Sequence, residues 1–142
     1  MLTKKAKYGL KAMVHLAELP PGEGVSIGDI AEANALPRKF LEAILLDLRN
    51  AGFVRSRKGR GGGYTLARAP SDIRVGDIIR ALDGPLAPIP CASRTAYVAC
   101  DDCPDLNGCS VRMIMQNVRD AMADILDHTS LAQMRDRANQ AA

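Results

Sequence analysis

The stretch Arg57-Lys58-Gly59-Arg60-Gly61-Gly62-Gly63-Tyr64 contains three basic residues and four glycines within eight positions. Residues that favour β-strands stand on both sides of it, with Phe53 and Val54 before it and Thr65 and Leu66 after it. Two short strands joined by a glycine-rich loop are typical of a β-hairpin. The sequence therefore predicts a positively charged hairpin.

Two predicted helices lie near the amino terminus. Apolar residues at three- and four-residue intervals predict the first helix over residues 4–19, and Pro20-Pro21-Gly22 ends it. The second helix begins at Ser26, which has the spacing of a capping box with Asp29. It is short and ends near Ala33.

A third predicted helix follows the tight turn Asn34-Ala35-Leu36, with Pro37 in its first turn and Asn50-Ala51-Gly52 at its end. Its predicted buried residues are Phe40, Leu41, Ile44, Leu45 and Leu48. A short helix, a three-residue turn and a longer helix form the unit that places its second helix in the DNA major groove. A basic hairpin after such a unit is a wing, so the sequence predicts a winged helix-turn-helix protein that binds DNA.

The distribution of charge supports DNA binding. Residues 1–60 contain 11 Lys/Arg and 6 Asp/Glu, whereas residues 61–142 contain 8 and 10. A basic amino-terminal half is suited to a polyanion. The candidate contact residues are Arg38, Lys39 and Glu42 on the third helix, and Arg55, Arg57, Lys58 and Arg60 with Gly61 and Gly62 in the hairpin. Asp47 and Arg49, near the far end of that helix, are either further contacts or ordinary solvated charges.

The 142 residues suffice for a winged domain with a dimerising extension. Hydrophobic residues make up 47% and aromatic residues only 4%, a composition that favours helices. We predict a mainly α fold with a small hairpin, divided into residues 1–70 and a sensor and dimerisation region over residues 71–142. No segment resembles a secretory signal or a membrane span, which predicts a cytoplasmic protein with reduced thiols.

The four cysteines Cys91, Cys100, Cys103 and Cys109 fall in one segment interrupted by prolines, with gaps of eight, two and five residues. Thiolates grouped in this way indicate a metal or an iron–sulfur cluster. Structural zinc sites usually contain two close pairs of ligands, and this segment has one. A redox-active pair is disfavoured because the carboxylates of Asp101-Asp102 lie between the two closest thiols.

A strongly periodic helix is predicted from Ser110 onwards. Its apolar stripe contains Val111, Ile114, Met115, Val118, Met122, Ile125 and Leu126. The helix is longer than a small core requires, so we expect part of the stripe to pack against a second copy of the chain. The alternative is a helix buried within one protomer.

Several motifs together resemble the Rrf-two family of bacterial winged-helix repressors. They are Leu2-Thr3-Lys4 with Tyr8-Gly9, the helix end Leu48–Gly52, the wing, Ile73–Ile79, the spaced cysteines and Ile125–Leu131. The resemblance implies a homodimer that crosses over its long carboxy-terminal helix and binds a palindromic promoter site. It also implies a [2Fe–2S] or [4Fe–4S] cluster whose presence changes DNA affinity.

The resemblance further implies the cluster ligands. The family's three cysteines correspond to Cys91, Cys103 and Cys109. Its fourth ligand is often a histidine three residues after the last cysteine, and Arg112 occupies that position in this chain. In other members it is an acidic residue near the amino terminus of the partner chain, where this chain has Lys7 or Tyr8. Cys100 is then the candidate fourth ligand.

The expected function is a transcriptional regulator controlled by an iron–sulfur cluster. The alternative is a metal-free winged-helix regulator that senses oxidants or reactive sulfur through its thiols. No catalytic Ser/His/Asp or Cys/His arrangement is indicated, so an enzyme is not expected.

Overall fold

The structure is a computed structural model that describes residues 2–59, 62–102 and 107–140. Its helices are α1 (Lys4–Glu18), α2 (Ile27–Asn34), α3 (Arg38–Asn50), α4 (Val75–Asp83), α5 (Ser110–Asp127) and α6 (Leu131–Gln140). The strands β1 (Val54–Arg57) and β2 (Gly63–Leu66) form one antiparallel hairpin, and short 3₁₀ turns occur at Pro70–Asp72 and Pro90–Ala92. The mainly helical fold with a winged hairpin is therefore as the sequence predicts.

The core lies where α1, α3 and α4 meet. Fully buried side chains come from each of these helices, among them Met13, Ile44 and Ile78. Gly9 lies at the crossing of α1 and α4, where a Cβ atom would collide with the Leu82 side chain. The small residue lets the two helices approach closely, so α4 packs against the helix-turn-helix unit.

The helix-turn-helix connection depends on local capping. Ser26 accepts a hydrogen bond from the backbone N–H of Asp29 at 3.1 Å, as its capping-box position predicts. Ala35 takes a left-handed conformation with φ 53° and ψ 47°, which turns the chain from α2 into α3. Pro37 precedes α3 as its N-cap because its ψ of 123° is extended, so the prediction that it lies in the first helical turn is wrong.

The wing is attached to the connection between α1 and α2. Val25 and Tyr64 exchange two backbone hydrogen bonds, from Val25 N to Tyr64 O at 3.1 Å and from Tyr64 N to Val25 O at 2.8 Å. Gly63 has φ 116° and lies so close to the Val25 backbone that a Cβ atom has no room there. The direction of the hairpin is thus fixed relative to α3. Arg60 and Gly61, two predicted contact residues in its loop, lie outside the described residues.

The carboxy-terminal helices return to the winged unit. The backbone N–H of Leu131 donates to the carbonyl of Ile73 at 2.8 Å, and Arg135 donates to the carbonyl of Ala17 at 3.0 Å. Leu131 is fully buried at the start of α6, a helix that the sequence pattern does not predict. Among the described residues, no helix is long and apolar enough to span a membrane.

Candidate functional site: a DNA-binding surface and a cysteine loop

The predicted contact residues of α3 all lie on its exposed side. Arg38, Lys39 and Glu42 are exposed, and Arg38 Nε lies 3.7 Å from Glu42 Oε1. Both side chains are more than half exposed, so this ion pair contributes little to stability and leaves both groups accessible to a ligand.

Phe40 does not belong to the buried side of α3, and its predicted burial is wrong. Its side chain is 37% exposed and meets the ring of Tyr8 edge-to-face at 5.6 Å. The residue lies on the flank of α3 that leans towards α1, where it has an aromatic partner without entering the core. On the same flank, Lys5 Nζ of α1 lies 2.7 Å from Asp47 Oδ2.

The opposite flank of α3 leans towards the wing. There Arg49 donates a hydrogen bond to the Ser56 hydroxyl of β1 at 3.4 Å. Asp47 and Arg49 are therefore engaged in contacts between neighbouring elements. With α1 on one side and β1 on the other, α3 is held in a fixed orientation and presents its remaining face to solvent.

The described basic residues of the wing are all accessible. Arg55, Arg57 and Lys58 are exposed along β1 and the loop that follows it. The backbone N–H of Gly62 donates to the Gly59 carbonyl at 3.0 Å, and a Cβ atom on Gly62 would collide with the Arg57 carbonyl. The absence of a side chain at Gly62 thus permits the chain to pass close to the Arg57 carbonyl.

The cysteine loop brings two predicted ligands to the amino end of α5. Cys91 lies in the 3₁₀ turn Pro90–Ala92 and is only 2% exposed. Cys109 is the N-cap of α5, and its sulfur accepts a hydrogen bond from the backbone N–H of Arg112 at 3.5 Å. Cys100 is partly buried, and Cys103 lies outside the described residues.

Arg112 joins these two cysteine segments. Its Nε donates to the carbonyl oxygen of Cys91 at 3.0 Å, and its guanidinium lies over the Tyr97 ring, 5.5 Å from the centroid. A guanidinium remains protonated and cannot ligate a metal, so Arg112 acts here as a bridge. The sequence identifies Arg112 only as the residue that stands in place of the family's histidine ligand. Its bridging role could not be predicted from the sequence.

A second arginine fixes the loop further along α5. Arg94 makes two hydrogen bonds to Asp120, each 2.7 Å long. These hydrogen bonds lower the pKa of Asp120 to about 2, with a further contribution from Arg119. The carboxylate therefore stays ionised throughout the physiological pH range, so its charge-assisted contact with Arg94 does not depend on pH there.

A third arginine fixes the other end of α5 to α4. Arg80 of α4 makes two hydrogen bonds to Asp127, at 2.6 and 2.8 Å. The hydrogen bonds from Arg80 and its positive charge lower the pKa of Asp127. Gly76 lies directly beneath this pair, and a Cβ atom there would collide with the Asp127 carboxylate. The four donor and acceptor atoms come from residues 47 positions apart in the sequence.

Within the described ranges, no group of three His, Cys, Asp or Glu side chains is arranged to hold a metal ion. One predicted ligand, Cys103, is not in those ranges. The chemistry of the remaining donors suits an iron–sulfur cluster, because thiolates are its usual ligands and Cys91 and Cys109 are both tied to Arg112.

Comparison with known proteins identifies the family. A family model described as "Rrf2: Iron-dependent Transcriptional regulator" matches residues 2–137. This chain belongs to the Rrf2 family. The resemblance noted from the sequence motifs is thereby confirmed, and so is the expectation of a transcriptional regulator that is not an enzyme.

Three similar proteins illustrate the range of the Rrf2 family. A putative rrf2-like HTH-type regulator of Rhodobacter capsulatus is 43% identical over 145 residues, covering 100% of this chain and 97% of that protein. The structure of CymR, the global cysteine regulator of B. subtilis, has a TM-score of 0.78 at 35% identity, covering 96% of this chain and 97% of CymR. The structure of T. potens IscR has a TM-score of 0.77 at 36% identity, covering 99% of this chain and 90% of IscR.

The pairing of Arg80 with Asp127 leads to a prediction about stability and pH. Replacing Asp127 by Asn should lower the free energy of unfolding by about 1–2 kcal/mol at pH 7, the scale of a partly buried, charge-assisted contact. Because the folded-state pKa of Asp127 lies below its ordinary value, this contribution is complete above pH ~5 and is lost progressively as the pH falls towards the folded-state pKa. Chemical denaturation of both proteins at pH 7 and pH 3 measures the difference.

The matched control is Asp124→Asn, which removes a 79% exposed carboxylate from the same helix. It should change the free energy of unfolding by less than about 0.5 kcal/mol. An equal effect of the two substitutions at pH 7 would refute a specific role for the Arg80–Asp127 pair.

Proposed function

We propose that this protein is a homodimeric repressor that binds a palindromic operator through α3 and the wing. Its operator affinity is controlled by an iron–sulfur cluster bound in the cysteine loop. The observation that carries the proposal is the bridge made by Arg112, which ties the segments of Cys91 and Cys109 to the start of α5. A change in the cysteine loop thus acts directly on the helix that we assign to dimerisation.

The DNA-binding assignment rests on charge and orientation. Arg38 and Lys39 lie at the amino end of α3, the part of a recognition helix that meets base edges, and Glu42 can accept a hydrogen bond from a cytosine amino group. Arg55, Arg57 and Lys58 are suited to phosphates or to the minor groove, together with Arg60. Gly61 and Gly62 are assigned to the same contact, because residues without a side chain let a phosphate approach the protein backbone.

The homodimer rests on the exposed stripe of α5. Val111, Ile114, Val118 and Ile125 are between 40% and 65% exposed and share one side of the helix. A row of large apolar side chains left in water is characteristic of an interaction surface. A second copy of the same helix, crossing it about a twofold axis, covers both stripes at once.

The proposed ligands are Cys91, Cys103 and Cys109, with Cys100 as the fourth. A bound cluster supplies iron–thiolate bonds that oxidants and iron shortage can break. A change in the cysteine loop then reaches the winged unit through contacts made by the protein's own residues. Arg112 and the Arg94–Asp120 pair hold the loop on α5. At the far end of α5, Arg80 and Asp127 hold that helix against α4 and the winged unit.

The metal-free alternative has one specific support. The chain is as similar in structure to CymR, named a global cysteine regulator, as it is to IscR. In this alternative the thiols themselves are oxidised or modified. The same loop and the same arginine contacts then transmit the change to α5.

The deciding experiment is anaerobic purification followed by absorbance spectroscopy and iron and sulfide analysis. We expect visible charge-transfer absorbance with stoichiometric iron and sulfide. Cys91→Ala, Cys103→Ala and Cys109→Ala should each abolish the absorbance because each removes a ligand. Loss of absorbance in Cys100→Ala as well would assign Cys100 as the fourth ligand. A wild-type protein without iron, or four single variants with the wild-type spectrum, would reject the cluster in favour of the thiol sensor.

The wing assignment predicts a change in salt dependence. Replacing Arg57 and Lys58 together by Ala should weaken binding to all duplexes and reduce the slope of log K against log salt by about 0.9 for each phosphate that the protein no longer neutralises. Titrations by fluorescence anisotropy at several salt concentrations measure both quantities. Arg137→Ala, a basic residue of α6, should leave the slope unchanged. An unaltered slope in the double variant would exclude the wing from the interface.

The dimer assignment predicts the effect of a charge on the stripe of α5. Val118→Asp should convert the dimer to a folded monomer, because the carboxylate is solvated in the protomer but buried without a partner in the dimer. Asn117→Asp places the same charge about 100° away around the helix and should preserve the dimer. Sedimentation at micromolar concentration distinguishes the two. A wild-type protein that sediments as a monomer would refute the assignment.

A further inference from the structure

The face of α3 that points away from the core contains two exposed apolar residues between Lys39 and Asn50. At about 100° per residue, Lys39, Ala43, Leu46 and Asn50 fall within a sector of about 60° opposite the buried Leu41, Ile44, Leu45 and Leu48. Leu46 is 45% exposed, and Ala43 is exposed beside it. Arg38 and Glu42, which are predicted from their charge to contact DNA, lie on one side of this sector.

Both flanks of the sector are occupied by neighbouring elements. Phe40 and Asp47 contact α1 through Tyr8 and Lys5. On the other side Arg49 contacts β1. These contacts occupy the two flanks of α3 and leave its outward sector, in which Ala43 and Leu46 are the two apolar residues, exposed to solvent.

A single exposed leucine is ordinary on a protein surface, but this one lies among cations. Lys39 precedes the apolar pair on the same face, Arg38 and Arg49 lie along one flank together with Glu42, and the exposed cations of the wing follow α3 in the chain. Cations outnumber carboxylates on this side of the protein, which favours a polyanion over an apolar protein partner. In the major groove of a duplex, the apolar group presented by a base edge is the 5-methyl group of thymine.

We infer that Ala43 and Leu46 contact thymine 5-methyl groups and thereby select thymine within each operator half-site. The inference rests on the proposed docking of α3 in the major groove, and it adds an apolar element to a recognition surface otherwise made of charges. The discrimination requires no hydrogen bond, because it comes from removing a methyl group and an apolar side chain from water together.

The test removes only the methyl groups from the DNA. A duplex is selected from a random library with the wild-type protein, and each thymine is then replaced in turn by deoxyuridine. At one or two positions in each half-site, we expect binding to weaken about fourfold, which corresponds to about 0.8 kcal/mol for one buried methyl group. At one of these positions, the Leu46→Ala variant should bind the duplex with thymine and the duplex with deoxyuridine equally well. At the adjacent position, the Ala43→Ser variant should bind the two duplexes equally well.

Leu46→Met is the matched control, because it keeps an apolar side chain of similar volume and should retain the sensitivity to deoxyuridine. If wild-type protein binds its selected duplex with affinity unchanged by every deoxyuridine replacement, the inference is wrong although the proposed function stands. Sensitivity that persists in both Leu46→Ala and Ala43→Ser overturns the assignment to these residues. If no duplex is selected, the proposed docking of α3 fails, and the inference fails with it.

Discussion

The bidentate contact between Arg80 and Asp127 sets the position of α5 relative to the winged helix-turn-helix unit. Its two hydrogen bonds fix both the distance and the rotation between α4 and the end of α5, which a single apolar contact does not. Gly76 makes the contact possible by leaving room for the carboxylate. Since α4 is itself buried against α1 and α3, a movement of α5 must either carry α3 with it or break this pair.

The same helix is constrained at its other end by the cysteine loop. Cys109 caps α5, and Arg112, one turn later, donates to the Cys91 carbonyl. Arg94 and Asp120 add a second attachment near the middle of the helix. The proposed sensor and the proposed recognition helix α3 are therefore connected through α5, which has arginine contacts at both ends. In a dimer built on α5, this arrangement relates the state of the cysteine loop to the separation of the two α3 helices.

Much of the DNA-binding unit can be predicted from sequence because its signals are local. The spacing of apolar residues locates α1 and α3 within one or two residues, Ser26 marks the start of α2, and the glycines mark the hairpin. The position of Phe40 could not be predicted in this way, because periodicity gives the buried side of a helix but not the neighbour on each flank. Likewise α6 is mostly polar and has few inward residues, so its periodic signal is weak.

The arginine–aspartate contacts that position α5 and the cysteine loop cannot be predicted from local sequence patterns. Arg80 and Asp127 are 47 residues apart and Arg94 and Asp120 are 26 apart, and nothing in the spacing of these charges distinguishes them from solvated ones. The apolar face of α3 was available from the sequence, since Ala43 and Leu46 lie opposite the buried stripe on a helical projection. A search for charged residues overlooks this face, because Ala43 and Leu46 carry no charge. Whether a side chain can meet a base edge depends on the direction in which it projects from the helix.

The central claim is that the state of the cysteine loop controls operator affinity through α5. The most direct test compares operator binding by the anaerobically purified protein before and after oxidation in the presence of an iron chelator, for the wild type and for Cys91→Ala. The account predicts that the affinity of the wild type changes at least about fivefold, the lower end of typical coupling between two sites, whereas that of Cys91→Ala does not change. Equal affinity of the wild-type protein in both states would contradict it.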